Sequence, residues 1–190
     1  MTTHHKVGYF IGSLSSTSIN RRLAQALIKL APPELRMTEI VFRDLPLYSQ
    51  DYDADFPPVA RTFKQAISQC DAILFITPEF NRSIPGALKN AIDWASRPYG
   101  QNAFASKPAG VIGASPGAIG TALAQQSLRA VLAFCNAPQM TSPEAYIHFT
   151  PDLVNESGDV TVDSTREFLR NFIHEFRDFV TRVRSAVPKD

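Results

Sequence analysis

The chain has 190 residues, of which 44% are hydrophobic and 19% are charged, and its formal net charge is +1. These values fit one globular domain with a sizeable core rather than a disordered segment. With this near-neutral charge, nothing in the composition suggests an electrostatic nucleic-acid binder. No apolar stretch is long enough to span a bilayer, and the first residues lack the apolar stretch of a signal peptide. We therefore expect a cytoplasmic protein with no membrane or nucleic-acid partner.

Short apolar runs alternate with longer helical patterns, which is typical of βαβ units and a mostly parallel sheet, here in one domain over residues 1–190. The third run is almost wholly apolar, as a central parallel strand buried on both faces would be. In chain order, the predicted elements are a strand at 6–11, a helix from Ser18 to the prolines at 32 and 33, an edge strand at 36–41, a helix at 58–69, a strand at 72–77, a helix from Pro85, a strand at 108–113, a helix at 118–134, a strand at 140–147 and a helix at 164–184.

Cysteine and histidine are too few and too scattered for a disulfide framework or a metal centre. Cys70 and Cys135 form no C-x-x-C pair, and we expect both to be buried thiols of a reducing compartment. None of the four histidines lies in a metal-binding motif such as H-E-x-x-H. The sequence therefore predicts no metal site.

Ligands of open α/β sheets bind beyond the carboxyl ends of the strands, where the strand order reverses. Three loops of unusual composition follow the first, third and fourth predicted strands. We call them the first loop (12–20), the second loop (77–86) and the third loop (113–120). We expect the functional site to lie among them.

The first loop is rich in hydroxyl groups and leads into the N-terminus of a helix. Backbone N–H groups are free at such a position, and the helix dipole favours an anion. A helix cap needs one hydroxyl residue, whereas this loop carries several, together with one amide. It matches neither the P-loop nor the glycine-rich dinucleotide fingerprint. We therefore predict a phosphate-monoester site with the candidate residues Ser13, Ser15, Ser16, Thr17, Ser18, Ile19 and Asn20.

The other two loops fit a flat ring beside that phosphate. Two prolines stiffen the second loop, so its backbone can hold the edge of a heteroaromatic ring, although a rigid turn before a helix explains it equally well. The third loop is small and glycine-rich, so its backbone can approach a ligand closely; an ordinary strand-to-helix turn is the alternative. The candidate ring contacts are Pro78, Glu79, Phe80, Asn81, Ser115 and Gly117.

Three stretches together resemble the NADPH-dependent FMN reductase family, and most of all its bacterial quinone and chromate reductase branch. The resemblance runs from about residue 7 to residue 145. The stretches are Gly-Ser-Leu-x-x-x-Ser-x-Asn at 12–20, Pro-Glu-Phe-Asn at 78–81 and Ile-Pro-Gly-Ala-Leu-Lys-Asn-Ala-Ile-Asp-Trp at 84–94.

The resemblance implies a flavodoxin-like three-layer sandwich whose parallel five-stranded sheet has the order 2-1-3-4-5. It implies FMN as the cofactor, with Ser13, Ser18 and Asn20 at its phosphate, residues 78–81 along the isoalloxazine ring, and the third-loop candidates at the other edge of the ring. Family members form homodimers or homotetramers, so we expect one of these assemblies.

The resemblance also implies an enzyme that passes hydride from NADPH or NADH through FMN to small-molecule electron acceptors. No pattern typical of nucleophilic catalysis stands out, so the chemistry is assigned to FMN and not to a catalytic side chain. Quinones, azo compounds, metal oxyanions and free flavin all fit as acceptors.

The chain departs from the family pattern at two positions. The family commonly has arginine where Ser15 stands, so the first loop lacks one charge-assisted phosphate contact. Phe80 stands in place of the usual tyrosine and keeps the aromatic face without the hydroxyl.

Arg82 of the second loop is a candidate contact for substrate or nicotinamide nucleotide. The alternative is an ordinary solvated arginine.

Two other functions stay open at this stage. The first is a flavodoxin-type electron carrier without its own turnover, although such carriers are typically acidic and this chain is not. The second is a phosphate-binding α/β protein that holds no flavin.

Overall fold

A computed structural model describes residues 3–186. Its five strands form one sheet in the order β2-β1-β3-β4-β5, and all four strand pairs are parallel. The predicted sheet and strand order are therefore confirmed. The elements are β1 (His5–Ile11), α1 (Ile19–Leu30), β2 (Leu35–Glu39), a short 3-10 helix (Gln50–Tyr52), α2 (Pro58–Ser68), β3 (Ala72–Ile76), α3 (Gly86–Ser96), β4 (Ala109–Ser115), α4 (Ala122–Phe134), β5 (Tyr146–His148) and α5 (Asp163–Ala186).

Helices cover both faces of the sheet. Buried side chains of α1 and α5 pack on one face, and buried side chains of α2, α3 and α4 pack on the other. Every residue of β3 is buried, as expected for a strand that contacts helices on both sides. This three-layer arrangement brings the carboxyl ends of neighbouring strands to one edge of the sheet.

Two predicted elements differ from the observed ones. The helix predicted at 118–134 begins only at Ala122, because Gly120 has a φ of +64° and lies against the backbone of Tyr146. A right-handed helix cannot pass through that conformation. The strand predicted at 140–147 is reduced to three residues. The observed strand is Tyr146–His148. Pro138 and Pro143 lie on either side of the predicted start at residue 140, and neither has an N–H to donate to a sheet.

The predicted burial of the two cysteines is confirmed, because Cys70 and Cys135 are free thiols in the core. Burial raises the pKa of both thiols. Neither is therefore a reactive thiolate at neutral pH. Among the helices of residues 3–186, none has the length and apolar character needed to cross a membrane.

Candidate cofactor site

The three predicted loops meet at the carboxyl edge of the sheet. The N–H of Gly12 donates to the carbonyl of Ile76 at 2.8 Å, and the N–H of Thr77 donates to the carbonyl of Ile112 at 3.0 Å. A Cβ added at Gly113 would lie 2.1 Å from the carbonyl oxygen of Thr77. Only glycine permits so close a contact between the second and third loops.

The hydroxyl groups of the first loop organise its own backbone. Ser13 Oγ accepts the N–H of Ser15 at 3.3 Å, and Ser15 Oγ accepts the N–H of Thr17 at 3.2 Å. Ser13 is half-buried, whereas Ser15, Ser16 and Thr17 are exposed. The loop is therefore a folded turn whose outer hydroxyl groups are accessible to a ligand.

Ser18 carries an unsatisfied polar group at the start of α1. It occupies the N-cap position, but its hydroxyl makes no capping hydrogen bond. The residue is 7% exposed, and its Oγ has no hydrogen-bond partner within residues 3–186. In the same part of the chain, the N–H groups of Ile19 and Asn20 have no backbone acceptor. An isolated buried hydroxyl costs about 1–3 kcal/mol, and this group of donors is complementary to a phosphate oxygen.

Asn20 is fully buried, and its side chain is satisfied within the protein. Nδ2 donates to the carbonyl of Ala114 and Oδ1 accepts the N–H of Ala114, both at 2.9 Å. The amide therefore ties α1 to β4 and does not reach the loop opening. This leaves only the backbone N–H of Asn20 for the phosphate contact that the family resemblance implies.

The second loop contains a tight two-residue turn at its centre. The N–H of Phe80 donates to the carbonyl of Ser83 at 3.1 Å, and the N–H of Ser83 donates back at 3.0 Å. Asn81 and Arg82 between them have φ values of +51° and +62°, as a type I′ turn requires. The turn leaves Phe80 56% exposed at the edge of the site.

Glu79 connects the second loop to α4. One carboxylate oxygen accepts the N–H groups of Leu123 and Ala124 at 3.0 and 3.1 Å, and the other lies 3.2 Å from Arg82. These N–H groups belong to the first turn of α4, where a negative charge is stabilised by the helix dipole. The Glu79 carboxylate is thus fully engaged in contacts within the protein. Only the backbone of Glu79 is left for contact with a ring.

The third loop is held by a hydroxyl of its own. Ser115 is half-buried and its Oγ accepts the N–H of Gly117 at 3.1 Å, while Gly117 itself is exposed. A Cβ on Gly117 would meet only that Oγ, at 3.5 Å. The backbone at this point is accessible to a ligand from outside.

Sequence reasoning missed Arg43, which follows β2 at the same edge of the sheet. Its guanidinium Nη2 donates to the carbonyl of Leu14 in the first loop. Arg43 is exposed and forms no ion pair within residues 3–186. Because β2 was predicted to lie beside β1, the predicted strand order already implied that residues after β2 come close to the first loop.

Comparison with known proteins identifies the family. A sequence profile of the NADPH-dependent FMN reductase family matches residues 5–152. The chain belongs to this family. Membership confirms the predicted class of activity, that of an FMN-dependent NAD(P)H oxidoreductase.

Individual family members are similar over nearly the whole chain. A 2-hydroxy-1,4-benzoquinone reductase of a Burkholderia species is 47% identical over 175 residues, which cover 92% of this chain and 96% of the relative. A quinone reductase of Pseudomonas putida is 46% identical, with 98% of this chain and all of the relative covered. The structure of FerB, a flavoenzyme NAD(P)H:(acceptor) oxidoreductase from Paracoccus denitrificans, superposes with a TM-score of 0.90 at 44% identity. That superposition covers 94% of this chain and 98% of FerB.

Proposed function

We propose that this family member is a cytoplasmic quinone reductase that takes hydride from NADPH or NADH and delivers it to quinones or similar acceptors. The observation that carries the proposal is the buried hydroxyl of Ser18, which has no partner within residues 3–186, beside N–H groups at the start of α1 that have no backbone acceptor there. It lies in a chain 46–47% identical to proteins named as quinone reductases. The free, buried cysteines support a reducing compartment such as the cytoplasm.

The residues around the three loops fit FMN, and each loop has a distinct task. The Ser18 hydroxyl, the first-turn N–H groups, the half-buried hydroxyl of Ser13 and the exposed hydroxyls of Ser15, Ser16 and Thr17 would hold the phosphate. The backbone of residues 78–81 and of Ser115 and Gly117 would hold the edges of the ring. When bound, FMN supplies the hydride chemistry. Phe80 and Arg82 are exposed at the opening, where a nicotinamide nucleotide and then a flat acceptor can bind in turn.

Rapid mixing of the FMN-loaded protein with each nicotinamide nucleotide tests the enzymatic function. We expect NADPH or NADH to bleach the flavin absorbance, and a quinone added afterwards to restore it. Steady-state turnover across a panel of quinones, azo compounds, metal oxyanions and free flavin would then rank the acceptors. A flavin that stays oxidised after mixing with NADPH and after mixing with NADH would contradict the proposal and favour a flavodoxin-type electron carrier.

Replacement of Ser18 tests the phosphate site. Because the Ser18 hydroxyl makes no hydrogen bond within residues 3–186, we expect Ser18→Ala not to destabilise the apoprotein, and removal of this buried unsatisfied group should stabilise it by up to about 1–3 kcal/mol. We expect it to weaken FMN about tenfold and riboflavin hardly at all, because only FMN has a phosphate. Fluorescence titration with both ligands measures this, with the exposed Ser68→Ala as control. Equal weakening of FMN and riboflavin would rule out the phosphate role.

We further propose that the protein is a homodimer or homotetramer. Large apolar side chains are exposed on what we call the α3–α4 face. Phe134, 80% exposed, ends α4 and lines a groove with Ile92 and Arg97, while Tyr99, 88% exposed, follows α3. Exposed apolar groups of this size support an interaction surface.

A further inference from the structure

The first loop contains no cation of its own. Residues 12–20 include neither lysine nor arginine. The two arginines that follow are engaged elsewhere, since Arg21 makes a two-pronged ion pair with Glu39 at 2.8 Å and Arg22 donates to the carbonyls of Pro151 and Val154. A phosphate monoester carries about −1.5 to −2 charges at neutral pH, so uncharged donors alone would leave much of that charge uncompensated.

Arg43 brings a positive charge to this loop from another part of the chain. Its guanidinium donates to the carbonyl of Leu14, which holds the group beside the loop. An arginine has five N–H donors, and only this one is used within residues 3–186. The remaining donors suit the oxygen atoms of a phosphate, which arginine binds in a fork geometry.

We propose that Arg43 is the cation of the phosphate site and binds the phosphate of FMN across the first loop. The inference rests on the proposed FMN site and adds a residue from outside its three loops. Two independent observations meet here within residues 3–186: an arginine that contacts the loop at Leu14 but forms no ion pair, and the buried Ser18 hydroxyl without a hydrogen-bond partner. Arg43 thereby replaces the charge that the loop lacks at Ser15.

Binding measurements on the apoprotein test this role. We expect Arg43→Gln to weaken FMN about tenfold, to leave riboflavin unchanged and to make FMN affinity less dependent on salt. Arg43→Lys should retain part of the affinity, because the charge stays while the fork is lost. The control is Arg36→Gln, which removes the same charge from an exposed position. Arg36 lies near the start of β2, opposite Lys6 of β1 and away from the carboxyl end of the strand.

The outcomes separate this inference from the proposed function. If the unaltered protein prefers FMN to riboflavin and Arg43→Gln keeps that preference in full, the role of Arg43 is overturned and the cofactor site stands. If the unaltered protein binds both ligands equally, the phosphate site itself fails. If Arg43→Gln leaves FMN affinity unchanged but abolishes a preference of the protein for NADPH over NADH, the inference is also overturned. Arg43 would then bind the phosphate of the nicotinamide nucleotide and not that of FMN.

Discussion

Two polar side chains at the start of α1, both buried, have opposite hydrogen-bonding states. Within residues 3–186, the Ser18 hydroxyl has no hydrogen-bond partner, whereas both the oxygen and the nitrogen of the Asn20 amide are hydrogen-bonded to the backbone of Ala114. An unsatisfied buried group is stabilised by a ligand that satisfies it, and a satisfied one is part of the fold. At the residue scale, we therefore propose that Ser18 serves ligand binding, whereas the side chain of Asn20 stabilises the fold.

Replacement of Asn20 should affect stability before it affects ligand binding. Asn20→Ala leaves the N–H and the carbonyl of Ala114 without partners in the core, so we expect the apoprotein to lose about 2–4 kcal/mol of unfolding free energy. Urea unfolding without FMN measures the change. Gln25→Ala, an exposed amide on the same helix, is the control and should have little effect. Unchanged stability combined with loss of FMN binding would instead support a direct phosphate contact by the Asn20 side chain.

At the scale of elements, the loops are fixed to each other by contacts between segments far apart in the chain. Glu79 of the second loop caps the first turn of α4, the helix that follows the third loop. Gly113 allows the third loop to lie against Thr77. These contacts hold the second and third loops in one relative position, which is what a rigid planar ligand requires.

Loss of the Glu79 charge should loosen the start of α4. We expect Glu79→Gln to destabilise the protein by about 1–2 kcal/mol, because a neutral amide interacts more weakly with the helix dipole and the two N–H groups. Amide hydrogen exchange at Leu123 and Ala124 should become faster. The exposed Glu156→Gln removes the same charge and serves as control. Unaltered exchange at both amides would show that the carboxylate does not act as a cap.

At the scale of the whole molecule, the exposed α3–α4 face is the surface on which the proposed assembly rests. Its two most exposed aromatic side chains, Phe134 and Tyr99, would bury a large apolar area if a second copy covered them. Aromatic anchors of this kind contribute much of the binding free energy at protein interfaces.

Polar replacement of these aromatics should weaken the proposed assembly. We expect Phe134→Ser combined with Tyr99→Ser to raise the dissociation constant of the oligomer at least about tenfold, measured by sedimentation or light scattering over a range of protein concentrations. Val41→Ser removes an exposed apolar group that follows β2, an edge strand of the sheet and not part of the α3–α4 face, and should leave the mass unchanged. An unchanged mass in the double variant would place the contact on another face.

The sequence by itself determined the strand and helix alternation, the buried central strand and the position of the hydroxyl-rich loop. These features are local: burial on both faces leaves a continuous apolar run, and a helix N-terminus is marked by the residues immediately around it. The family motifs are contiguous stretches for the same reason, so FMN and the class of reaction were also predictable.

Only the tertiary structure decided how the side chains of the site are used. Asn20 meets a backbone 94 positions away, Glu79 caps a helix 44 positions away, and Arg43 reaches a carbonyl 29 positions away. The late start of α4 likewise depends on Gly120 lying against Tyr146. Hydrogen bonding between distant segments depends on how the chain packs, and local residue patterns do not record it.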